Sequence, residues 1–320
     1  MSLFPQHVVV TGGLGYIGSH LVAKLTGQGF RAIVIDKAES NKFGGASGDV
    51  EIHRLDMAKT AAVSKLKSIL SSLPKDTIVV HLAANKSVEE SSKNPEMYIH
   101  NNVESTKNLL SSMNEVGLTQ LIFASSAAVY DFQIKTGSLT ETSNLAITSP
   151  YSESKIICEQ LITQNKIPEF KFVNLRFFNV AGASSPALIE KDGDNLIPTI
   201  FRALKSNLVF KVFGKNYPTH DGTCVRDFID VRDLVSAIIL TFNPLQEKTL
   251  GALNLGNGTG YSVLEIVLEV KKKAPNLIFE FTGGRFGDLP YVVADSTLAQ
   301  GILKWYPTHS LESTIDSVRY

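Results

Sequence analysis

Tyr151 and Lys155 stand four residues apart in the segment SPYSESKIICEQLI. Pro150 suits the first turn of a helix, and the apolar residues after it recur at helical spacing. Side chains four residues apart lie on one helix face. Because a neighbouring cation favours the phenolate, we expect Lys155 to lower the pKa of Tyr151. The pair is therefore a candidate general base near neutral pH; the alternative is a surface tyrosine beside a surface lysine.

The glycine-rich segment TGGLGYIGSH, which begins at Thr11, is a second candidate site. Gly12, Gly15 and Gly18 are spaced three apart, between a predicted strand and a predicted helix. This context is typical of loops that hold a pyrophosphate on a helix N-terminus, rather than of a purely structural turn. Asp36 ends the next predicted strand, where a carboxylate accepts from ribose hydroxyls and disfavours a 2′-phosphate. The segment therefore predicts NAD as the cofactor rather than NADP.

Two serines stand at the end of the fifth predicted strand, in the segment FASSAAVY. Ser125 and Ser126 would lie at the carboxyl edge of a parallel sheet, where ligands bind. A hydroxyl there could share a proton with a substrate oxygen. By themselves, serines at a strand end are also ordinary loop residues.

The elements that must position these groups alternate between strand and helix. This alternation predicts an α/β fold with a doubly wound parallel Rossmann sheet. We expect an NAD-binding domain over residues 1–178 and a smaller α/β C-terminal substrate domain over 179–320, with a helix at 231–242 that packs back on the first. Strands are predicted at His7–Thr11, Ala32–Ile35, Glu51–Leu55, Ile78–Leu82, Leu121–Ser125 and Phe172–Arg176, and helices at Tyr16–Gly27, Asn102–Val116 and Tyr151–Thr163.

The overall composition limits the possible partners. The 320 residues contain 31 Lys and Arg against 31 Asp and Glu, so no basic surface for nucleic acid or a membrane is expected. Cys158 and Cys224 are far apart, which fits a reducing compartment and gives no zinc pattern. The N-terminus lacks the pattern of a signal peptide, and no apolar stretch could span a bilayer. We therefore expect a cytoplasmic protein.

Several motifs together resemble the UDP-glucose 4-epimerase family of extended short-chain dehydrogenases/reductases. The resemblance extends from about residue 7 to Trp305, and its most specific part is the segment DGTCVRDFIDVRDL. It rests on the glycine loop, SSAAVY, the Tyr151–Lys155 pair, LRFFNVAGA from Leu175, DNLIP from Asp194, the segment from Phe213 to Asp230, and GDLP from Gly287.

The resemblance implies interconversion of UDP-glucose and UDP-galactose. In this family, NAD stays bound while the sugar is oxidised at C4 to a 4-keto intermediate and reduced again on its other face. Tyr151 would remove the proton of the 4-hydroxyl group, Lys155 would lower the tyrosine pKa and contact the nicotinamide ribose, and Ser126 would relay the proton. The partner is then a UDP-hexose, and helices such as Asn102–Val116 and Tyr151–Thr163 would form a homodimer.

The resemblance also implies two sets of binding residues. The cofactor set is Gly12, Gly15, Tyr16, Ile17, Gly18, Asp36, Asp56, Met57, Leu82, Ala83, Ala84, Lys86, Asn101, Ser125, Tyr151, Lys155 and Phe178. The substrate set is Lys86, Ser126, Tyr151, Asn179, Asn195, Leu196, Phe213, Arg226, Arg285, Asp288 and Val292. Arginines suit a diphosphate because guanidinium binds phosphate oxygens in a bidentate manner, and Phe213 could pack on the uracil ring.

Departures from the family pattern leave alternatives open. The segment from Asp36 to Asp56 is shorter than usual, so contacts to the adenosine ribose beyond Asp36 cannot be placed there. Val292 replaces a bulky tyrosine of some epimerases and would leave room for a 2-acetamido group, unless Tyr291 fills that space. A UDP-glucuronate or UDP-pentose 4-epimerase would share most of these residues.

Two further alternatives are disfavoured by particular residues. A dehydratase or decarboxylase of nucleotide sugars needs an added acid and base, and the two positions where the dehydratases carry them hold Ala127 and Ala128. A non-catalytic NAD-sensing regulator would typically have lost the Tyr151–Lys155 pair, which this chain keeps.

Overall fold

The computed structural model describes residues 6–39, 50–131, 137–190, 195–285 and 288–319. Asp194, Gly287 and residues 40–49 of the shortened segment lie outside this description. The strands are β1 (His7–Thr11), β2 (Arg31–Asp36), β3 (Val50–Arg54), β4 (Ile78–His81), β5 (Gln120–Ser126), β6 (Lys171–Phe177), β7 (Asn179–Ala181), β8 (Phe210–Phe213), β9 (Val225–Asp230), β10 (Gly251–Leu255), β11 (Gly260–Ser262), β12 (Phe279–Thr282) and β13 (Tyr291–Val292). The helices are α1 (Tyr16–Gly27), α2 (Ala62–Ser71), α3 (Val88–Lys93), α4 (Pro95–Val116), α5 (Pro150–Thr163), α6 (Leu196–Lys205), α7 (Val231–Leu240), α8 (Phe242–Glu247), α9 (Val263–Lys273), α10 (Thr297–Leu303) and α11 (Leu311–Ser317), with 3₁₀ turns at Ala127–Val129 and Pro186–Leu188.

The larger sheet has seven strands in the order β10-β6-β5-β4-β1-β2-β3, and each neighbouring pair is parallel. This confirms the predicted doubly wound Rossmann sheet. β1 lies between β2 and β4, so the order of the strands reverses at β1. At such a point a crevice opens outside the carboxyl ends of the strands, and ligands bind there.

β1 shows how the residue pattern builds both faces of this sheet. Val8 and Val10 point into a core that α1, α7 and α8 cover, whereas Val9 points into a second core with α2, α4 and α5. All three valines are 0% exposed. Because a parallel sheet covered on both faces buries every side chain, the strand is a continuous apolar run rather than an alternating one.

Two elements from the second half of the chain belong to the part of the molecule built on the larger sheet. β10 pairs with β6 at the sheet edge, and α7 packs against α1. The helix predicted over 231–242 ends at Leu240, and the short helix α8 follows from Phe242. The division into domains at residues 178 and 179 stays a prediction.

The remaining strands form the smaller α/β part. β9 is central: it pairs antiparallel with β11 and parallel with β13 and β7. β8 and β12 form a separate parallel pair. A third core lies among α6, α9 and α11. Among the described helices, none is long and apolar enough to cross a membrane.

Candidate active site

The start of α5 fixes the predicted catalytic pair. Ser149 caps the helix: its hydroxyl accepts from the Ser152 N–H at 3.1 Å, and the Ser152 hydroxyl accepts from the Ser149 N–H at 2.9 Å. This reciprocal capping satisfies two N–H groups at the helix start. Tyr151 therefore sits in a well-anchored first turn, with Lys155 one turn later on the same buried face.

The Tyr151 phenol is buried at 8% exposure, and this changes its chemistry. Burial raises the pKa of Tyr151, and a hydrogen bond with Ser126 lowers it only in part. The Lys155 ammonium lies 5.9 Å from the centre of the Tyr151 ring. The pKa of Tyr151 is therefore raised in the protein alone, where the sequence predicts a fall, because burial disfavours the phenolate.

Lys155 is held by groups at the end of β5. Its ammonium donates to the Ala124 carbonyl oxygen at 2.7 Å and lies 4.8 Å from the centre of the Phe123 ring. Burial lowers the pKa of Lys155 to about 8, while the negative charge of Glu159 raises it. The ammonium is thus close to titration at physiological pH and depends on its neighbours for its charge.

The two serines at the end of β5 have different surroundings. Ser126 accepts from the Ala128 N–H at 3.2 Å and hydrogen-bonds Tyr151. Ser125 turns inward and donates to Glu159 Oε1 at 2.5 Å. Of these two serines, Ser126 is therefore the one that lies beside Tyr151, and its role as a proton relay stays a prediction.

The glycine loop lies against the end of β4. Gly12 has a φ of +69°, and a Cβ there would come within 2.7 Å of the Ala83 nitrogen. A Cβ on Gly18 would come within 2.2 Å of the Gly12 oxygen, so α1 can pack on the loop only with glycine at that position. Gly15 is the N-cap of α1 and has no side chain to satisfy the first N–H groups. This geometry fits a pyrophosphate at the helix N-terminus.

Asp36 is oriented by the backbone on either side of it. Its two carboxylate oxygens accept from the Leu14 and Ala38 N–H groups, each at 2.9 Å. A carboxylate has lone pairs left after two such bonds. Asp36 can therefore also accept from ribose hydroxyls, which agrees with the predicted role in NAD binding.

These groups surround a first cavity of about 330 Å³ at the carboxyl ends of β1 and β4. Phe178 does not line it, whereas Phe177 does, because neighbouring side chains at the end of β6 point to opposite sides. All other predicted cofactor residues line this cavity: Gly12, Gly15, Tyr16, Ile17, Gly18, Asp36, Asp56, Met57, Leu82, Ala83, Ala84, Lys86, Asn101, Ser125, Tyr151 and Lys155.

Asn102 is a residue of this site that sequence reasoning missed. Its amide accepts from the Asn85 N–H at 2.8 Å, and donates to the Asn85 oxygen at 3.1 Å and to Ser154 Oγ at 2.9 Å. It ties the loop after β4 to α4 and α5. A polar residue on the apolar face of a predicted helix was the available signal, since buried amides are almost always hydrogen-bonded.

A second cavity of about 710 Å³ opens in the smaller part of the molecule. Arg226 lines it and is held by Asp288 Oδ1 at 2.8 Å and the Leu289 oxygen at 2.6 Å. Sequence reasoning missed Lys211 and Cys224, which also line it. The predicted substrate residues around it are Asn179, Asn195, Leu196, Phe213, Arg226, Arg285 and Asp288.

The Arg285 guanidinium carbon lies 3.9 Å from the centre of the Phe213 ring. Arginine stacks well on aromatic faces. One face of Phe213 is therefore covered by Arg285, so the predicted packing on a uracil ring would have to use the other face or displace the arginine.

Val292 is not in either cavity wall but in a small apolar cluster next to α5. It is 6% exposed and packs with Ala127, Ile156 and Phe178. Tyr291 is 41% exposed, and its hydroxyl is 3.6 Å from where a Cβ on Gly260 would be. The two side chains therefore lie on opposite sides of β13, and Tyr291 does not fill the space beside Val292.

Asp227 is a buried carboxylate that fixes the backbone on either side of β9. Its carboxylate, 0% exposed, accepts from the N–H groups of Asn257 at 2.6 Å, Gly258 at 2.9 Å and Ala294 at 3.1 Å. Burial raises the pKa of Asp227 to about 6, although these hydrogen bonds lower it. The side chain thus links β9 to both the β10–β11 loop and the residues after β13.

We expect Asp227 to make stability depend on pH. Its folded pKa lies above the ordinary value of 3.8, so its contribution is fully present below that value and is lost as pH rises through about 6. The free energy of unfolding of the wild type, relative to Asp227→Asn, should fall by roughly 2.4 kcal/mol between pH 4 and pH 7. Urea denaturation at each pH measures this difference.

Asp295 provides a control of opposite sign. Hydrogen bonds from Thr297 lower its pKa, so the wild type relative to Asp295→Asn should gain stability as pH rises from below the ordinary carboxyl range. A flat difference for Asp227→Asn would contradict the assignment of Asp227 as a carboxyl group with a raised pKa.

Among the residues that the structure describes, no cluster of three or more His, Cys, Asp or Glu could hold a metal ion. Cys158 and Cys224 are free and buried.

Known proteins share this sequence and fold. A UDP-glucose 4-epimerase from Lactobacillus helveticus is 39% identical over 310 residues, which cover 94% of this chain and 92% of that protein. A UDP-glucose-4-epimerase from Stenotrophomonas maltophila, crystallised with NAD and formylated UDP-arabinopyranose, superposes with a TM-score of 0.89 and 32% identity over 98% of this chain and 96% of its own.

A UDP-Glc/GlcNAc 4-epimerase from Campylobacter jejuni has a TM-score of 0.84 and 30% identity, and 98% of each chain is covered. The model of the NAD dependent epimerase/dehydratase family matches residues 8–256 of this chain. With the glycine loop, Asp36 and the Tyr151–Lys155 pair around one cavity, the chain belongs to the NAD dependent epimerase/dehydratase family.

Proposed function

We propose that this protein is an NAD-dependent isomerase that interconverts UDP-glucose and UDP-galactose at C4. The observation that carries the proposal is that Tyr151 and Lys155 line the same cavity as the glycine loop and Asp36. A proton acceptor and an oxidant can therefore act on one carbon. The similarity to UDP-glucose 4-epimerases over nearly the whole chain supports this choice of substrate.

The glycine loop and Asp36 would hold NAD in the first cavity, where the cofactor would supply a reversible hydride acceptor for C4 of the sugar. Tyr151 takes the proton of the 4-hydroxyl group and later gives it back, which makes it both general base and general acid. Ser126, hydrogen-bonded to Tyr151, orients that proton. The Lys155 ammonium favours the phenolate form when the proton has left the sugar.

The second cavity suits the UDP part of the substrate. Arg226 and Arg285 both line it, and guanidinium groups bind diphosphate oxygens strongly. Arg226 is already oriented by Asp288 and Leu289, so binding costs little additional ordering of its side chain. The diphosphate held there would leave the sugar free to turn between the two hydride transfers.

A two-part experiment tests this function. Mass spectrometry of the small molecules released from the purified protein should find NAD, and the protein should convert UDP-galactose to UDP-glucose without added cofactor. An assay with UDP-glucuronate and UDP-pentoses runs in parallel. Faster turnover of either alternative substrate, or no turnover of UDP-galactose, would overturn the proposal.

The residues after Ser126 argue against a dehydratase. Ala127 and Ala128 belong to the 3₁₀ turn that follows β5, and neither side chain can transfer a proton. Elimination of water from the oxidised sugar needs such a group. Proton exchange at Tyr151 followed by return of the hydride is the chemistry that remains.

Because Val292 stands where some epimerases carry a bulky tyrosine, we also propose a wider range of substrates that includes the N-acetyl sugars, although Val292 lies beside α5 rather than in either cavity wall. Val292 packs with Ile156, which follows Lys155 on α5. We expect Val292→Tyr to reduce kcat/KM for UDP-N-acetylgalactosamine at least tenfold, which corresponds to about 1.4 kcal/mol of activation free energy. The kcat/KM for UDP-galactose should change much less. Steady-state assays with both substrates measure this. Tyr291→Phe is the matched control, and an equal effect on both substrates would contradict a role in selectivity.

We also propose that the protein is a cytoplasmic homodimer. The support is the resemblance of α4 and α5 to the helices that pair in this family, together with two free cysteines that fit a reducing compartment. Sedimentation velocity of the purified protein tests the dimer, since a single species at the mass of one chain would exclude it.

A further inference from the structure

Glu190 joins the two cavities through its side chain. One carboxylate oxygen, Oε1, forms an ion pair with the Lys86 ammonium. The other, Oε2, accepts from Asn195 Nδ2 at 2.5 Å. Lys86 lines the first cavity and Asn195 the second. Glu190 itself was not among the residues predicted from the sequence.

The Glu190 carboxylate is buried, so its charge depends strongly on its two partners. Its side chain is only 8% exposed, whereas that of Lys86 is 59% exposed. A buried carboxylate needs its partners far more than a solvated ammonium does. The Lys86 ammonium that pairs with Glu190 also lies 5.8 Å from the centre of the Tyr16 ring, so the ion pair stands beside the start of α1 and its glycine loop.

Asn195 hydrogen-bonds Glu190 instead of capping its own helix. It occupies the N-cap position of α6 but makes no capping hydrogen bond there. Asparagine at an N-cap normally accepts from the first turn of the helix. Here its amide donates to Glu190 instead, so the start of α6 is linked to the carboxylate rather than closed on itself.

We propose that Glu190 is a positioning residue that couples nucleotide binding in the second cavity to cofactor retention in the first. A UDP group that orders Asn195 also orders Glu190, and Glu190 then fixes Lys86 at the cofactor. The inference rests on the proposed function for the identity of the two ligands. Since such coupling is reciprocal at equilibrium, bound NAD also favours UDP binding.

The test follows the release of NAD⁺ from the holoenzyme with and without saturating UDP. We expect UDP to slow release about fivefold or more in the wild type. In Glu190→Gln the ratio should fall to within twofold of one, because the amide cannot form the ion pair. Glu280→Gln, which removes a charge from an exposed position, should keep the ratio of the wild type. Calorimetry confirms that each variant is saturated with UDP.

A second variant keeps the test decisive if Glu190→Gln folds poorly. Lys86→Met removes the other end of the ion pair and should also abolish the effect of UDP. An unchanged ratio in a folded variant, or a wild type in which UDP has no effect or accelerates release, would overturn the coupling. Failure of UDP to bind at all would instead sink the proposed function and with it the inference.

Discussion

Tyr151→Phe should abolish most of the epimerase activity while leaving the cofactor in place. The variant keeps the aromatic ring in its buried position and loses only the group that exchanges the proton. Positioned general acid–base catalysis contributes roughly 10²- to 10⁴-fold to rate, so we expect kcat to fall by that factor. KM for UDP-galactose should change little, because we propose that the UDP part binds in the second cavity, away from Tyr151.

Steady-state kinetics and cofactor content measure this result. Tyr291→Phe is the control, since the same hydroxyl is removed from a side chain that is 41% exposed. NAD content near that of the wild type in Tyr151→Phe would separate lost chemistry from lost binding. Activity within a few-fold of the wild type would show that another group accepts the proton.

Glu159→Gln should cost the protein much of its stability. Glu159 and Arg176 form a bidentate ion pair at 2.7 and 3.0 Å, and their side chains are 8% and 6% exposed. Removing one partner leaves an uncompensated buried charge, at a cost of about 3–5 kcal/mol. For a chain of this size that corresponds to a fall in Tm of roughly 10 °C, measured by thermal unfolding with NAD present.

The same change should also alter the pH dependence of catalysis. Burial lowers the pKa of Lys155 to about 8, even though the charges of Cys158 and Glu159 both raise it. Without the charge of Glu159 the ammonium loses its proton at lower pH, so the alkaline decline of kcat should begin at lower pH than in the wild type. A purely structural role for Glu159 would leave this decline unmoved.

A double variant separates the two effects. Glu159→Gln with Arg176→Met removes both charges and should recover part of the lost stability, but it should keep the shifted pH profile. Glu89→Gln, which breaks the exposed ion pair with Lys93, should change neither property. If the double variant is no more stable than Glu159→Gln, the uncompensated arginine is not the cause of the loss.

Residues whose role depends on local sequence were predictable. The run of valines in β1, the spacing of Gly12, Gly15 and Gly18, and the step from Tyr151 to Lys155 encode their own geometry. A strand, a tight turn and one helix turn suffice to place them. The sheet and the first cavity therefore agree with what the sequence predicts.

Residues whose role depends on distant contacts were not predictable. Asn102 carries only the weak signal of a polar residue on an apolar helix face, and Glu190 becomes informative only when the fold brings Lys86 to it. No spacing along the chain encodes that ion pair, because its two residues are 104 positions apart.

The pKa of Tyr151 shows a different limit of prediction from sequence. The sequence reveals the neighbouring cation but not the depth of burial, and burial has the larger effect. Phe177 and Phe178 show a third limit. Both follow a predicted strand, and only the final register of β6 decides which of them faces the first cavity.

The position of β10 at the edge of the larger sheet matters during protein synthesis. The β6 edge stays unpaired until Gly251–Leu255 has left the ribosome, although all residues that line the first cavity are synthesised earlier. An open parallel edge invites pairing with other nascent chains. A chain that ends before Gly251 would therefore aggregate, and a pause in translation over that stretch would prolong the hazard.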